Sequence, residues 1–301
     1  TLNDVKAQLE AMSNGLCDPQ DTLRTLLDFI NGANGDDMHE LCQDFSFDAV
    51  LSLAKRANNT PLASMAFSVA AHCLPYLPID TVSLITPQDF SFLLRKLRGG
   101  DDVEDTLYIL AHLCSEVPHV SEVLTHLGVG KLLNQLPVSK ELAGLVYFLA
   151  FDLGERVEDL SQMIRRVLKS GIEGAIPIGI DAAACYFHHG CTDMFDLILE
   201  CMEDFKMHDD PDVITALLKF FSLAEGLDSS FALAILELME QGDLKAKVIG
   251  AKVFCSNLST FRGTVDGRLC KMLIEQLDLQ SLKYYYQRIL FGTLLLYHDF
   301  S

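Results

Sequence analysis

Basic side chains are scarce in this chain of 301 residues, which carries 23 lysines and arginines against 42 aspartates and glutamates. Its formal net charge is −19. Affinity for nucleic acids depends on clustered Lys and Arg that neutralise phosphates, so this balance excludes a nucleic-acid-binding protein. We expect partners that are proteins of basic or neutral character.

Long apolar runs are also missing. No stretch approaches the roughly 18 consecutive apolar residues that indicate a membrane span. The first residues, Thr1-Leu-Asn-Asp-Val-Lys6, hold no cationic segment followed by an apolar one. The nine cysteines are an odd number and stand mostly in apolar segments, where Cys behaves as a small hydrophobe. We therefore expect a soluble, unexported protein of a reducing compartment, cytoplasmic or also nuclear.

Strict alternation of apolar and polar residues, the pattern of strands, is hardly found. Apolar positions recur at helical spacing throughout, and the hydrophobic content of 50% is ample for a core. The sequence predicts an all-α protein. Because no Ser/Gly/Pro-rich linker interrupts the pattern, we expect one domain over 1–301, with a capping unit at 1–43, central repeats at 44–263 and a C-terminal capping repeat at 264–301.

One line of sequence nearly recurs after forty residues. Residues 69–78 (VAAHCLPYLP) and 109–118 (ILAHLCSEVP) place His72 and His112 in register. A period of about 40 residues is typical of stacked helical repeats. Breaks at Pro, Gly and polar clusters divide the chain into helix pairs. The second helix of each pair is predicted to start near residues 20, 61, 102, 139, 175, 211, 244 and 281.

Two segments carry a resemblance to a known family. Residues 127–136 (LGVGKLLNQL) resemble the armadillo turn that leads into a second helix, and residues 248–258 (VIGAKVFCSNL) resemble the third helix of that repeat. The chain is therefore similar to armadillo and HEAT repeats. The resemblance implies a right-handed α-solenoid of about seven to eight repeats. It further implies a non-catalytic scaffold, adaptor or assembly subunit that binds proteins along its concave face.

Peptide-binding armadillo proteins hold their ligand with a ladder of Asn and flanking Trp on the third helices. This chain has no Trp, and only Asn257 keeps the ladder residue, which argues against cargo with basic signals. Another role within the same family is nucleotide exchange on Hsp70, and we keep it as an alternative. The candidate partner-binding residues are the repeated histidines, the groove positions of the third helices and one tyrosine of the aromatic last helix: His72, His112, Asp152, His188, Asn257 and Tyr285.

Cys185-Tyr-Phe-His-His-Gly-Cys191 is the best metal candidate, because thiolates and imidazoles at short spacing suit Zn²⁺. The competing interpretation is a helix that ends with its histidines before Gly190. A phosphate loop and a zinc-protease motif are each incomplete, at Gly128-Val-Gly-Lys131 and His39-Glu-Leu-Cys-Gln43. We expect no catalytic residue, metal or cofactor and hence no enzyme, with a helical metalloenzyme as the remaining alternative.

Charge clusters have local explanations in the sequence. Four carboxylates at Asp101-Asp-Val-Glu-Asp105 fit a helix start, where the macrodipole favours anions. The basic groups Arg95-Lys96-Leu-Arg98 and Arg165-Arg166-Val-Leu-Lys169 fit helix ends. On an acidic protein these two groups are alternatively docking points for an acidic peptide or a phosphate.

Overall fold

The computed structural model describes residues 2–43, 47–57, 60–78, 86–117, 119–157, 159–206, 210–224, 226–277 and 284–297. In these ranges every regular element is a helix, nineteen of them α-helices, and no strand is present. The prediction of an all-α protein is confirmed. Contacts along the chain divide it into two compact units, Thr1–Met163 and Ile164–Ser301.

The first unit contains ten complete α-helices and two short 3₁₀ turns, Leu74–Tyr76 and Gly154–Arg156. The helices are α1 (Leu2–Ser13), α2 (Pro19–Gly32), α3 (Gly35–Gln43), α4 (Phe47–Ala57), α5 (Pro61–Cys73), α6 (Pro87–Gly99), α7 (Val103–Glu116), α8 (Val120–His126), α9 (Val129–Leu133) and α10 (Lys140–Leu153).

The division between the units falls within α11 (Leu160–Leu168). The second unit continues with eight further α-helices in its described residues. They are α12 (Ala175–His188), α13 (Asp193–Lys206), α14 (Pro211–Leu223), α15 (Phe231–Gln241), α16 (Leu244–Ser256), α17 (Leu258–Phe261), α18 (Asp266–Leu277) and α19 (Tyr284–Tyr297).

Local capping chemistry sets many helix starts. The Asp210 side chain accepts a hydrogen bond from the Asp212 backbone at 2.8 Å, and Pro211 occupies the first helical position. The Asp210 side chain thereby bonds one of the backbone N–H groups that have no partner within the helix. Pro211 carries no N–H group, so it needs no partner at this position. Thr60 and Pro61 do the same for α5. Seven of the eight predicted second-helix starts agree with the structure within one residue, and the eighth, near 281, lies outside the described residues.

Helices one period apart pack against each other within each unit. In the first unit α5 packs on α2, α7 on α5, and α10 on α7. In the second unit α14 packs on α12, α16 on α14, and α19 on α16. The buried side chains of these helices are mainly Ala, Leu, Val and Phe, so burial of apolar surface between successive pairs holds each unit together.

Polar contacts between described side chains follow the same interval. Tyr297 donates its hydroxyl to the Phe254 carbonyl at 2.6 Å, 43 residues away, and burial raises the pKa of this phenol. Cys255 lies 3.1 Å from the Thr293 hydroxyl, 38 residues away. These contacts join α16 to α19, the helix one period later in the second unit.

Candidate functional site

A groove of about 500 Å³ opens in the first unit among α2, α5, α7 and the start of α10. Its volume is typical of ligand-binding clefts. The apolar floor contains Ile30, Met38 and Ala71. Its polar and aromatic lining comprises His72, Tyr76, Glu104, Asp105, Tyr108 and Glu141. We call this cleft the acidic groove.

Two tyrosines form aromatic walls of the acidic groove. Tyr108 on α7 is 41% exposed, which is high for so large an aromatic side chain. Tyr76 stands in the 3₁₀ turn after α5, where the edge of its ring meets His39 at a centroid distance of 5.1 Å. Partial burial raises the pKa of Tyr108, and the nearby Tyr76 adds to the shift. The groove therefore offers two phenol rings to a ligand.

Asp105 is the most enclosed carboxylate of the groove. It is half-buried one turn before Tyr108 on α7 and accepts a hydrogen bond from the Ser68 hydroxyl of α5. Burial raises the pKa of Asp105, whereas His72 opposes that shift and Asp102 and Glu104 add to it. The negative charge is thus held in a site that solvates it poorly.

Within the described ranges, no lysine or arginine pairs with Glu104, Asp105 or Glu141. Carboxylates elsewhere do find cations. Glu200 accepts from Lys169 at 2.6 Å, and Asp181 lies 3.4 Å from the Lys219 ammonium. The acidic groove therefore combines three carboxylates and His72 with no lysine or arginine partner among the described residues.

Of the repeated histidines, only His72 lines the acidic groove. It is exposed, and its Nδ1 lies 2.8 Å from the Ser68 carbonyl oxygen. His112 occupies the matching position on α7, but it is half-buried outside the groove lining. Burial lowers the pKa of His112, and Glu116 partly offsets that effect.

Asp152, predicted as a partner contact, lies at the end of α10 and accepts a short hydrogen bond from the Ser121 hydroxyl of α8. It lines a separate polar pocket of about 340 Å³ together with Cys114 and Arg156. Burial raises the pKa of the Cys114 thiol to about 12. This thiol stays protonated at neutral pH, so Cys114 itself is not a reactive nucleophile.

The Cys185–Cys191 segment forms a helix end. The Gly190 amide donates to the Phe187 carbonyl at 2.9 Å and the Cys191 amide to the Tyr186 carbonyl at 3.3 Å. This pair of bonds is the Schellman motif, with Gly190 at a φ of +101°.

His188 in that segment is exposed, and its ring stands 6.4 Å from that of His189. Burial raises the pKa of the Cys185 thiol to about 11. No group of three or more His, Cys, Asp or Glu side chains in the described part of the chain is placed to hold a metal ion.

Asn257 ends α16 and is 5% exposed. Its Nδ2 donates to the Val253 carbonyl at 3.0 Å, so its amide serves its own helix. Tyr285 belongs to α19, but its side chain lies outside the described residues. The structure thus places the predicted site residues whose side chains it describes at separate positions along the chain, and His72 is the one among them that lines the acidic groove.

Part of each predicted basic group pairs with a carboxylate of the protein. Lys96 is 6% exposed and donates to Asp102 at 2.8 Å. Arg165 and Lys169 both pair with Glu200. Docking of an anion at the remaining arginines of these groups stays a prediction.

Five residues of the acidic groove were not predicted as site residues from the sequence: Tyr76, Glu104, Asp105, Tyr108 and Glu141. Part of the signal was present, since Tyr76 belongs to the repeated line of sequence and Asp105 and Tyr108 stand nearly one helical turn apart. The carboxylates of α7 had already been assigned to the helix start. Glu141 lies on another helix, so only the fold shows that it faces the same space.

Comparison with known proteins identifies the fold alone. Neither a protein-family model nor a curated protein matches the sequence significantly. The chain is similar in structure to the crystal structure of an engineered protein from the Northeast Structural Genomics Consortium, with a TM-score of 0.62 and 13% sequence identity over 91% of this chain and 78% of that chain. In the described part of the chain, no helix is long and apolar enough to span a bilayer.

Proposed function

We propose that this protein is a non-catalytic protein-interaction scaffold or adaptor. In this proposal the chain is a right-handed α-solenoid of about seven to eight armadillo-like repeats and binds partners along its concave face. One observation carries the proposal: helices one period apart pack on each other in series, α2 to α5 to α7 to α10 in one unit and α12 to α14 to α16 to α19 in the other.

A single helix pair cannot bury its apolar side alone, whereas stacked helix pairs share a continuous core. Stacking leaves one helix of each pair along a common surface. Such extended surfaces suit the binding of other proteins. The acidic groove lies among α2, α5, α7 and α10, the helices of the first series, and it supports this assignment.

Small-angle X-ray scattering tests the architecture. A compact protein of this length has a radius of gyration of about 19 Å. Eight helix pairs stacked at about 9–10 Å reach about 75 Å in length, so we expect a clearly larger radius of gyration. A radius near that of the compact protein would contradict the solenoid.

Affinity purification with matched variants tests the function. We expect proteins to co-purify with the full chain and with Glu173→Gln, an exposed change outside the groove. We expect the same proteins to be depleted with a double variant of the groove, Asp105→Asn and Tyr108→Leu. Recovery of small metabolites without any protein would contradict a scaffold.

A further inference from the structure

The acidic groove has the chemistry of a cation-binding site. Its carboxylates have no lysine or arginine partner in the described part of the chain, His72 lies beside them in the lining, and two tyrosine rings flank them. A half-buried carboxylate without a cation is costly to the folded state, and residues of this kind concentrate at functional sites. We therefore expect the groove to bind a ligand that brings a positive charge to these carboxylates.

We propose that the acidic groove binds an arginine side chain from a partner protein. The inference rests on the proposed function and names the chemistry of the partner at one position. The guanidinium donates to Asp105 and its neighbouring carboxylates while its planar face stacks on a tyrosine ring.

Arginine fits this lining better than lysine. The guanidinium presents five N–H donors in a plane, and the groove offers the acceptors of Glu104, Asp105 and Glu141. Its flat and weakly hydrated surface packs on aromatic rings, which here are Tyr76 and Tyr108. The ammonium group of lysine is compact and strongly hydrated, so it packs less well on the two tyrosine rings.

The volume and floor of the groove favour a side chain that belongs to a peptide segment. The cleft of about 500 Å³ is larger than one side chain. Its floor of Ile30, Met38 and Ala71 accommodates the aliphatic stem of the arginine and adjacent residues. A free polyamine has charge but no apolar flanking residues to cover this floor.

The probe for the test is a fluorescein-labelled peptide with two arginines in a Gly/Ser background, measured by fluorescence anisotropy with the full chain at 0.15 M salt. Matched peptides replace arginine with citrulline, lysine or trimethyl-lysine. We expect the arginine peptide to bind about tenfold more tightly than the citrulline peptide. We expect the lysine and trimethyl-lysine peptides to bind more weakly than the arginine peptide.

Variants locate the binding site. We expect Asp105→Asn to weaken binding about tenfold and Tyr108→Leu several-fold, because they remove a charged acceptor and a stacking ring. Tyr108→Phe, which keeps the ring, loses less than Tyr108→Leu. Glu173→Gln removes one negative charge at an exposed position outside the groove. We expect its affinity for the arginine peptide to stay within twofold of the wild-type value.

Several results would overturn the inference. Equal losses in Asp105→Asn and Glu173→Gln would mean attraction to the overall negative charge. Stronger binding of trimethyl-lysine would identify a different ligand, and competition by micromolar spermidine would identify a free polyamine. Absence of binding would also refute it. These failures are distinguishable from failure of the proposed function, because scattering reports the architecture without reference to the groove.

Discussion

Lys96 at the end of α6 donates a hydrogen bond of 2.8 Å to Asp102 at the start of α7. The lysine side chain is 6% exposed and its ammonium stands 5.2 Å from the ring centroid of Phe67. A lysine that the sequence assigned to a helix end is thus a buried link between two helices. Its removal leaves a poorly solvated carboxylate.

We predict that Lys96→Met destabilises the protein by about 3 kcal/mol, the cost of breaking a buried pair on one side. Urea unfolding followed by circular dichroism measures this change. Arg98→Met, an exposed change two residues away, is the control and should stay within about 0.5 kcal/mol of the wild type. Equal unfolding midpoints for the two variants would contradict the role of Lys96.

We predict that Gly179→Ala in α12 destabilises the protein by about 1–3 kcal/mol. A Cβ at this position would stand 2.7 Å from Val167 Cγ1 and 3.2 Å from Leu168 Cδ2, so α11 and α12 have to separate. Thermal unfolding measures the effect.

Gly144→Ala in α10 is the matched control for that variant. Its Cβ meets only Ala111, at 4.0 Å, and we expect stabilisation of up to about 1 kcal/mol from helix propensity. The test is whether the two Gly→Ala variants change the stability of the protein in opposite directions. Stabilisation by both would refute the close approach of α11 and α12.

Asp89 in α6 predicts a loss of stability in acid. Burial raises the pKa of Asp89, but hydrogen bonds from Lys55 and Thr86 outweigh that effect and hold the pKa below its ordinary value. A carboxyl with a lowered pKa stabilises the folded state above its unfolded pKa of about 3.9, and this contribution disappears as the pH falls through the folded value.

We therefore expect Asp89→Asn to cost about 1.5–3 kcal/mol at pH 7 and progressively less as the pH falls through the folded pKa of Asp89. Urea unfolding at several pH values measures the gap between variant and wild type. Asp28→Asn, an exposed change on α2, provides the control. A gap that does not change with pH would exclude the ion pair as its source.

Asp105 predicts the opposite dependence. Burial raises the pKa of this carboxyl, with His72 and Ser68 of α5 opposing the shift and Asp102 and Glu104 of its own helix adding to it. Glu141 of α10 lines the same groove. A raised folded pKa means that stability falls as the pH rises from the unfolded value through the folded one.

Asp105→Asn should therefore be more stable than the wild type at pH 7, and this advantage should vanish below about pH 3.9. The free energy of unfolding at both pH values provides the measurement. A variant that gains stability and loses peptide binding separates ligand affinity from folding. A less stable variant at pH 7 would mean that the bond from Ser68 outweighs the cost of burial.

The sequence predicted the helix starts because their causes are local. Thr60-Pro61 and Asp210-Pro211 each hold a side-chain acceptor next to a proline, and both begin helices in the structure. Such signals depend on a few adjacent residues. The start of α16 after Asp243 has the same origin, with a bond of 2.9 Å to the Ala246 amide.

The candidate site was largely out of reach of the sequence because it depends on which helices meet. Asp105 and Glu141 lie on separate helices, and their shared cleft follows from the packing of α7 on α10. Asn257 shows that a match to a family position does not by itself identify a ligand-binding side chain. It matched a family position for ligand binding, yet its amide is bonded to Val253 of the same helix.

The interval of the polar contacts also bears on how the chain folds during synthesis. Partners on neighbouring helix pairs stand from 28 residues apart, as Arg268 and Glu240 do, to 43 residues apart, as Tyr297 and Phe254 do. These contacts between successive helix pairs can therefore form as soon as the next pair has been synthesised. Low sequence separation of contacts favours rapid folding, and the amino-terminal pairs can settle while the ribosome still adds the later ones.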